Sequence, residues 1–241
     1  MTTLSRRLSS ETPSGPKYVV PVDDEPLHQE RWKNDLVRIV DVQFPPHTTS
    51  LWHQHVHYGV YICVTQVRAT EQGIHDEAPR QLYKQRGDVF CRDHTLDRLV
   101  HVVSTDELPM RIIEVEILKD DPNENFDVHG LPVHEHRTIS IVHQDNKCRV
   151  YRLTMLPSAN AITLCLPSRA MLVSLDSVAV YIDNTSTGNH ISENPSTPCL
   201  SAGVRKLQAG DDVILQPGEM TLRVDDWSSA SVASFVLCEV Y

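Results

Sequence analysis

The sequence predicts an all-β chain built as two tandem β-barrels, and three observations carry that prediction. The apolar residues fall in short β-branched or alternating runs, turn chemistry separates the runs, and the second half repeats the first at a constant offset. The first series of strands is LVRIVDVQF (36–44), LWHQHVHYGVYICV (51–64), RLVHVV (98–103) and RIIEVEIL (111–118), bounded by PPHTTS, EQGIHDEAPR, RGD and TDELP. Gly, Pro, Asp and Ser fill those boundaries because they suit the backbone angles of turns. The second series is CRVYRLTML (148–156), AMLVSLDSVAVYI (170–182), DDVILQ (211–216), MTLRV (220–224) and SVASFVLCEVY (231–241). No long segment carries a helical period; ERWKND (30–35) is read as a single helical turn.

The repeat sets RIVDVQFPPHTTSLWHQHVHYGVYI (38–62) over RVYRLTMLPSANAITLCLPSRAMLV (149–173), an offset of 111 that places Pro46 on Pro157 and Ile62 on Val173. Later in each half, GDV (87–89) before RLVHVV matches GDDV (210–213) before MTLRV. The predicted layout is a disordered tail over 1–16, a barrel over 17–120, a linker over 121–135 and a second barrel over 136–241. The tail, MTTLSRRLSSETPSGP, is Ser/Thr-rich with Arg6 and Arg7 and no acid before Glu11. This composition is close to that of an organelle transit peptide, but it lacks the apolar stretch of a secretory signal.

Composition narrows the function. At 40% hydrophobic residues the chain can bury a real core, and its apolar runs are well short of the roughly 20 residues a membrane helix needs. The six cysteines show no C-x-x-C pair, and most sit in apolar runs, so a reducing, cytoplasmic setting is expected. A net charge of −10 repels phosphate backbones and anionic lipid, which argues against nucleic acid or a membrane surface as partner.

Within the second predicted strand, His53, His55 and His57 alternate where a sheet protein should place apolar side chains. Residues two apart on a strand face one side, so His53 and His55 can offer two nitrogens to one metal ion, with His101 as the natural third from a neighbouring strand. Burying an unpaired imidazole costs of the order of 1–3 kcal/mol, so a cluster calls for a purpose. His57 is open to three readings: a substrate or ligand-supporting contact, a spare fourth ligand, or packing. His94 lies in an irregular insertion and is read as a solvated loop residue, with a ring that turns into the site as the alternative. The H-E-H of 134–136 lies in the linker and is set aside.

PPHTTSLWHQH, followed by a strand and then GDVFCRDHTLDRLVHVVSTDELPMRIIEVEI, resembles the two motifs of the cupin superfamily. The resemblance implies a bicupin of two jelly rolls, the double-stranded β-helix. It puts His53 and His55 on the H-x-H, Gly87 and Asp88 on the turn, and His101 on the second motif. HVVSTDELP is similar to the H-x-V-x-N-T-x-x-x-P ending of that motif. Two departures stand out: CRDHTLDRL replaces a Pro-x-Gly, and Gly59 stands where the first motif usually has a glutamate.

Three neutral imidazoles leave a divalent ion its full charge and three open positions, which suits an anionic bidentate substrate beside O₂ or water. In ligand set the chain is similar to three-histidine cupin dioxygenases. That similarity implies Fe(II) ahead of Zn(II), Ni(II) or Mn(II), and a small anionic or chelating substrate. Among Tyr58, Tyr61 and Tyr83, Tyr61 shares the histidine face and is the candidate proton donor, the alternative being a barrel-core aromatic. A metal-dependent lyase or isomerase and a non-enzymatic binding protein are the alternatives. In the second half, Leu164, Leu166 and Leu222 are expected at the ligand positions, so that barrel should bind no ion and should serve packing or dimerisation, giving a homodimer.

Overall fold

β-Branched and aromatic side chains pack well on a pleated surface, and the runs rich in them become strands. The computed structural model describes residues 8–10, 17–119, 130–186, 202–227 and 231–241. Contacts divide the chain into two units, Met1–Asp120 and Asp121–Tyr241.

The first unit contains β1 (Leu8–Ser10), β2 (Lys17–Pro21), β3 (His28–Lys33), β4 (Val37–Phe44), β5 (Trp52–His55), β6 (Tyr58–Cys63), β7 (Val67–Gly73), β8 (Arg80–Lys84), β9 (Val89–Asp93), β10 (Leu99–Thr105) and β11 (Met110–Ile117). They form two sheets, ordered β1-β2-β5-β10-β7-β8 and β3-β4-β11-β6-β9. The second unit contains β12 (Ile139–Gln144), β13 (Cys148–Met155), β14 (Ala161–Leu166), β15 (Ala170–Ser174), β16 (Val178–Ser186), β17 (Gly203–Leu207), β18 (Asp212–Leu215), β19 (Gly218–Asp226) and β20 (Ala233–Val240). Its sheets run β12-β13-β20-β15-β18 and β14-β19-β16-β17. Apart from the β1-β2 extension, the two orders are the same.

The repeat therefore extends to topology. β4 and β13 match end to end at the offset of 111, and each crosses the last strand of its unit in the same register, Arg38 opposite Glu116 and Arg149 opposite Glu239. The G-D turns also coincide. Gly87 and Gly210 have φ of 83° and 88°, a region that favours glycine, and donate backbone hydrogen bonds to the Cys63 and Ser174 carbonyls. Asp88 and Asp211 then accept from the Gln85 and Gln208 amides at 2.8 and 2.7 Å.

Several expectations are corrected. ERWKND begins inside an edge strand, not a helical turn, because β3 pairs antiparallel with β4. The expected disordered tail contains β1, which pairs with β2; its other residues before Lys17 lie outside the described residues. The run 51–64 is two strands in different sheets, and the run 170–182 also divides in two. The end of the expected linker is fastened to the second unit, since His134 Nε2 bonds Glu239 at 2.6 Å.

Candidate metal centre

The two sheets of the first unit bring histidines from three strands together. β5 carries His53 and His55 on one face, 0% and 2% exposed, and β10 lies antiparallel to it with His101 directly opposite His53. Paired residues share a face, so the three rings meet. Ring centroids are 5.0 Å apart for His53 and His55, 4.5 Å for His53 and His101, and 5.1 Å for His55 and His101. A fourth ring, His28 on β3, lies 4.6 Å from His53 and 5.7 Å from His55.

Proton placement shows what this cluster is suited to hold. His53 Nδ1 lies 2.8 Å from the Leu51 carbonyl, which can only accept, so Nδ1 carries the hydrogen. His101 Nδ1 lies 2.7 Å from Glu71 Oε1. Burial opposes ionisation of Glu71, but its bonds to His101 and Arg92 override that and hold its pKa well below the usual carboxylate range. It too can only accept. The Nε2 atoms of His53 and His101 are then both bare lone pairs, and they face each other at 3.0 Å. Protonating either ring is opposed: burial first, then neighbouring histidines, hold His53 well below its ordinary value and bring His101 down to about 4. Two converging lone pairs with no proton between them suit a shared cation, so the donors fit a metal ion.

Carboxylates ring the histidines. Glu71, 1% exposed, also receives Arg80 at 2.9 Å and Arg92 at 2.5 and 3.0 Å. Glu114 and Glu116, both 1% exposed, alternate along β11 on the face shared with Gly59 and Tyr61. Glu116 pairs with Arg38 at 2.6 Å. Glu114 Oε1 lies 3.3 Å from His55 Nδ1, yet neither Glu114 oxygen makes a hydrogen bond. Burial and then the Glu114 charge push Glu116 up to about 7, while His55 holds Glu114 low against the effect of its own burial.

Gly59 explains the absent glutamate. A Cβ there would sit 2.8 Å from the Tyr61 hydroxyl and two ring carbons, so the phenol occupies the space a side chain would need. Tyr61 stacks on Phe90 at 4.8 Å and lies 6.2 Å from His55.

No protein-family model matches the sequence, and no curated protein matches it. Solved structures do. Oxalate decarboxylase from Lactobacillus farciminis, in a formate complex, aligns over all of this chain and 87% of its own, at 12% identity and a TM-score of 0.54. Protein Ylba from E. coli aligns over 85% and 77%, at 8% identity and 0.55. AerE from Microcystis aeruginosa aligns over 90% and 98%, at 10% identity and 0.51. The chain has the two-barrel cupin fold. At such identities the likeness shows architecture, and the chemistry rests on this chain's own residues.

The first unit brings His53, His55 and His101 together, with Tyr61 beside them. His57 is not on their face: β5 ends at His55, and His57 sits half-buried at the corner leading to β6. His94 is 5% exposed and 5.8 Å from the His55 ring, not a solvated loop residue. Tyr83 is 52% exposed and Tyr58 is buried elsewhere on β6. In the second barrel Leu164 and Leu166 face the core, but register places Met220, not Leu222, opposite Leu164 as His101 is opposite His53. Leu222 is also in that core, one pair further along. His28, Glu71 and Glu114 were not singled out in the sequence. The repeat held a signal for all three, because their counterparts Ile139, Ile182 and Leu237 are apolar.

Proposed function

We propose that the first barrel binds a divalent transition-metal ion through Nε2 of His53 and His101 and through the His55 ring, and acts as an oxidoreductase of the dioxygenase kind on a small anionic or chelating metabolite. The facing lone pairs of His53 and His101 carry this reading. When bound, such an ion supplies a Lewis acid for an anionic ligand and, as Fe(II), electrons for O₂. The protein's part is to present the imidazoles from a dry interior, with an oxygen behind His53 and His101 and the Glu114 carboxylate 3.3 Å from His55 Nδ1. A cavity of about 90 Å³, lined by Val22, Asp23, His28, Glu30, Arg38 and Val40, lies beside the His28 ring and is of a size for a small molecule.

Tyr61 is the proposed proton donor. Burial first, and then the Glu114 charge, push its pKa well above the ordinary value, so it keeps its proton at neutral pH. This favours a second reading, a lyase or isomerase in which Tyr61 returns a proton to the substrate. The test is metal analysis of protein purified without chelators, followed by oxygen consumption of the Fe(II)-loaded chain with a panel of small carboxylates and diketones. Oxygen uptake supports the first reading; substrate turnover without uptake supports the second. Stoichiometric metal in His53→Ala protein overturns both. The second barrel is proposed for packing or dimerisation, and a monomer by light scattering removes the dimer role.

A further inference from the structure

We propose that His28 is a fourth ligand to the same ion, so that the site is a four-histidine centre completed by an edge strand rather than by the usual carboxylate. The inference rests on the metal reading above and adds a residue that no motif contains.

Geometry comes first. One ring nitrogen each of His28, His53 and His55 lies within 4.8 Å of the other two. Nδ1 of His28 is engaged, 2.6 Å from Glu25 Oε2, which leaves Nε2 to face the group. The His28 side chain is 6% exposed, and Glu25 is 2% exposed.

The hydrogen bonds show that the placement is built. Glu25 accepts from the Leu27 amide at 2.8 Å and the Leu51 amide at 3.2 Å as well as from His28. Leu51 in turn offers its carbonyl to His53 Nδ1. One carboxylate thus locks the turn before β3 to the residue that orients His53. Three of the four rings have an oxygen within 2.6–2.8 Å of Nδ1, and the fourth, His55, has Glu114 at 3.3 Å. For His28, His53 and His101 this arrangement fixes the tautomer a metal ligand needs.

The second barrel supplies an independent check. His28 opposite Val42 corresponds to Ile139 opposite Leu153. Ile139 packs on the same apolar cluster that contains Leu164, Leu166 and Met220. The four positions occupied by histidine in one barrel are therefore occupied by apolar side chains around one core in the other.

The chemical consequence concerns substrate. Four protein ligands leave a six-coordinate ion two positions, not three. A bidentate anion would then fill the ion's remaining shell and leave no position for O₂, so with four histidines the dioxygenase reading requires an anion bound through one atom.

The test uses the full chain with Cu(II) as probe. Pulsed EPR counts coordinated imidazoles through their remote nitrogens, and titration gives affinity. Wild type should show four imidazoles, a result that needs no variant. His28→Ala and the size-preserving His28→Gln should each show three and bind well over about 100-fold more weakly, beyond the roughly 10–100-fold expected if His28 only supported another ligand. Melting of the metal-free His28→Gln protein within a few degrees of wild type shows that its fold is kept. A wild-type count of three, with His28→Gln binding as wild type, overturns the proposal while leaving the metal reading intact. Wild-type affinity in His53→Ala protein overturns the metal reading itself.

Discussion

Restoring the H-x-H pair to the second barrel, as Leu164→His with Leu166→His, should nearly unfold it. Leu164 and Leu166 are 6% and 2% exposed and belong to one apolar cluster with Ile162, Leu172, Met220 and Leu222. Losing each leucine forfeits about 1.5–3 kcal/mol of burial. Each imidazole introduced without a partner costs about 1–3 kcal/mol more. The pair then costs roughly 5–12 kcal/mol, comparable with the ~5–15 kcal/mol that holds a typical domain folded. Metal should not rescue it, because Met220 and Ile139 offer no further ligand.

Trp227 reports this unit, since it packs on the same cluster and the other two tryptophans, Trp32 and Trp52, lie in the first unit. In a Trp32→Phe, Trp52→Phe background, urea unfolding followed by Trp227 fluorescence should lose its transition or shift to a far lower midpoint, with or without Zn(II). A double-histidine protein within about 1 kcal/mol of its parent would refute the correspondence between Leu164 and Leu166 and the metal-site histidines.

Further outcomes follow from the first barrel. His55→Ala or His101→Ala should each lower bound metal sharply, whereas His57→Ala should leave most of it, as measured by metal analysis after gel filtration; equal loss in all three undoes the assignment. Asp41, 5% exposed, receives Arg111 at 3.0 and 2.9 Å and pairs with Arg31 at 3.1 Å, and although burial works against ionisation these cations hold its pKa below the ordinary value. Its stabilisation is thus complete above the unfolded pKa near ~3.9 and is lost as pH falls through the folded value. Asp41→Asn should cost about 1–3 kcal/mol at pH 7 and less at pH 3 in urea unfolding; an equal cost at both contradicts the ion-pair account. Burial, and next the Asp88 charge, push the Cys63 thiol up to about 12, so at pH 8 a thiol reagent should label exposed Cys165 in seconds and spare Cys63 until the protein unfolds.

The proposed ligands that sit on a recognisable alternation are legible in the sequence, and those that do not are hidden. The H-x-H was legible because period two on a strand puts both rings on one face, and His101 because a G-D turn preceded it. His28 was hidden in HQERWK, a charged stretch whose burial depends on β3 pairing along β4. Glu114 and Glu116 alternate with Ile and Val, a pattern that normally marks the solvent face, yet β11 is buried on both faces. His57 continued the alternation in sequence, but the chain changes sheets between β5 and β6 and breaks the period.

Comparing the two barrels separates the carboxylates that serve the site from those that serve the fold. Glu116 and Arg38 are cross-strand partners, and so are Glu239 and Arg149, so this pair persists where the histidines are gone and belongs to barrel architecture. Glu71 and Glu114 have Ile182 and Leu237 as counterparts, both within the second barrel's core. Tyr61 has Leu172, also in that core. A carboxylate kept only for folding would have no reason to vanish together with the imidazole it touches. Glu71 touches His101, Glu114 lies against His55, and Tyr61 stands over Gly59 beside Glu114. The chain does not simply lack an acidic group at position 59. Its acidic groups stand one atom layer further out, where each faces an Nδ1 and leaves the Nε2 side of the rings neutral. An ion held that way would keep its positive charge, as the proposed action on a small anion requires.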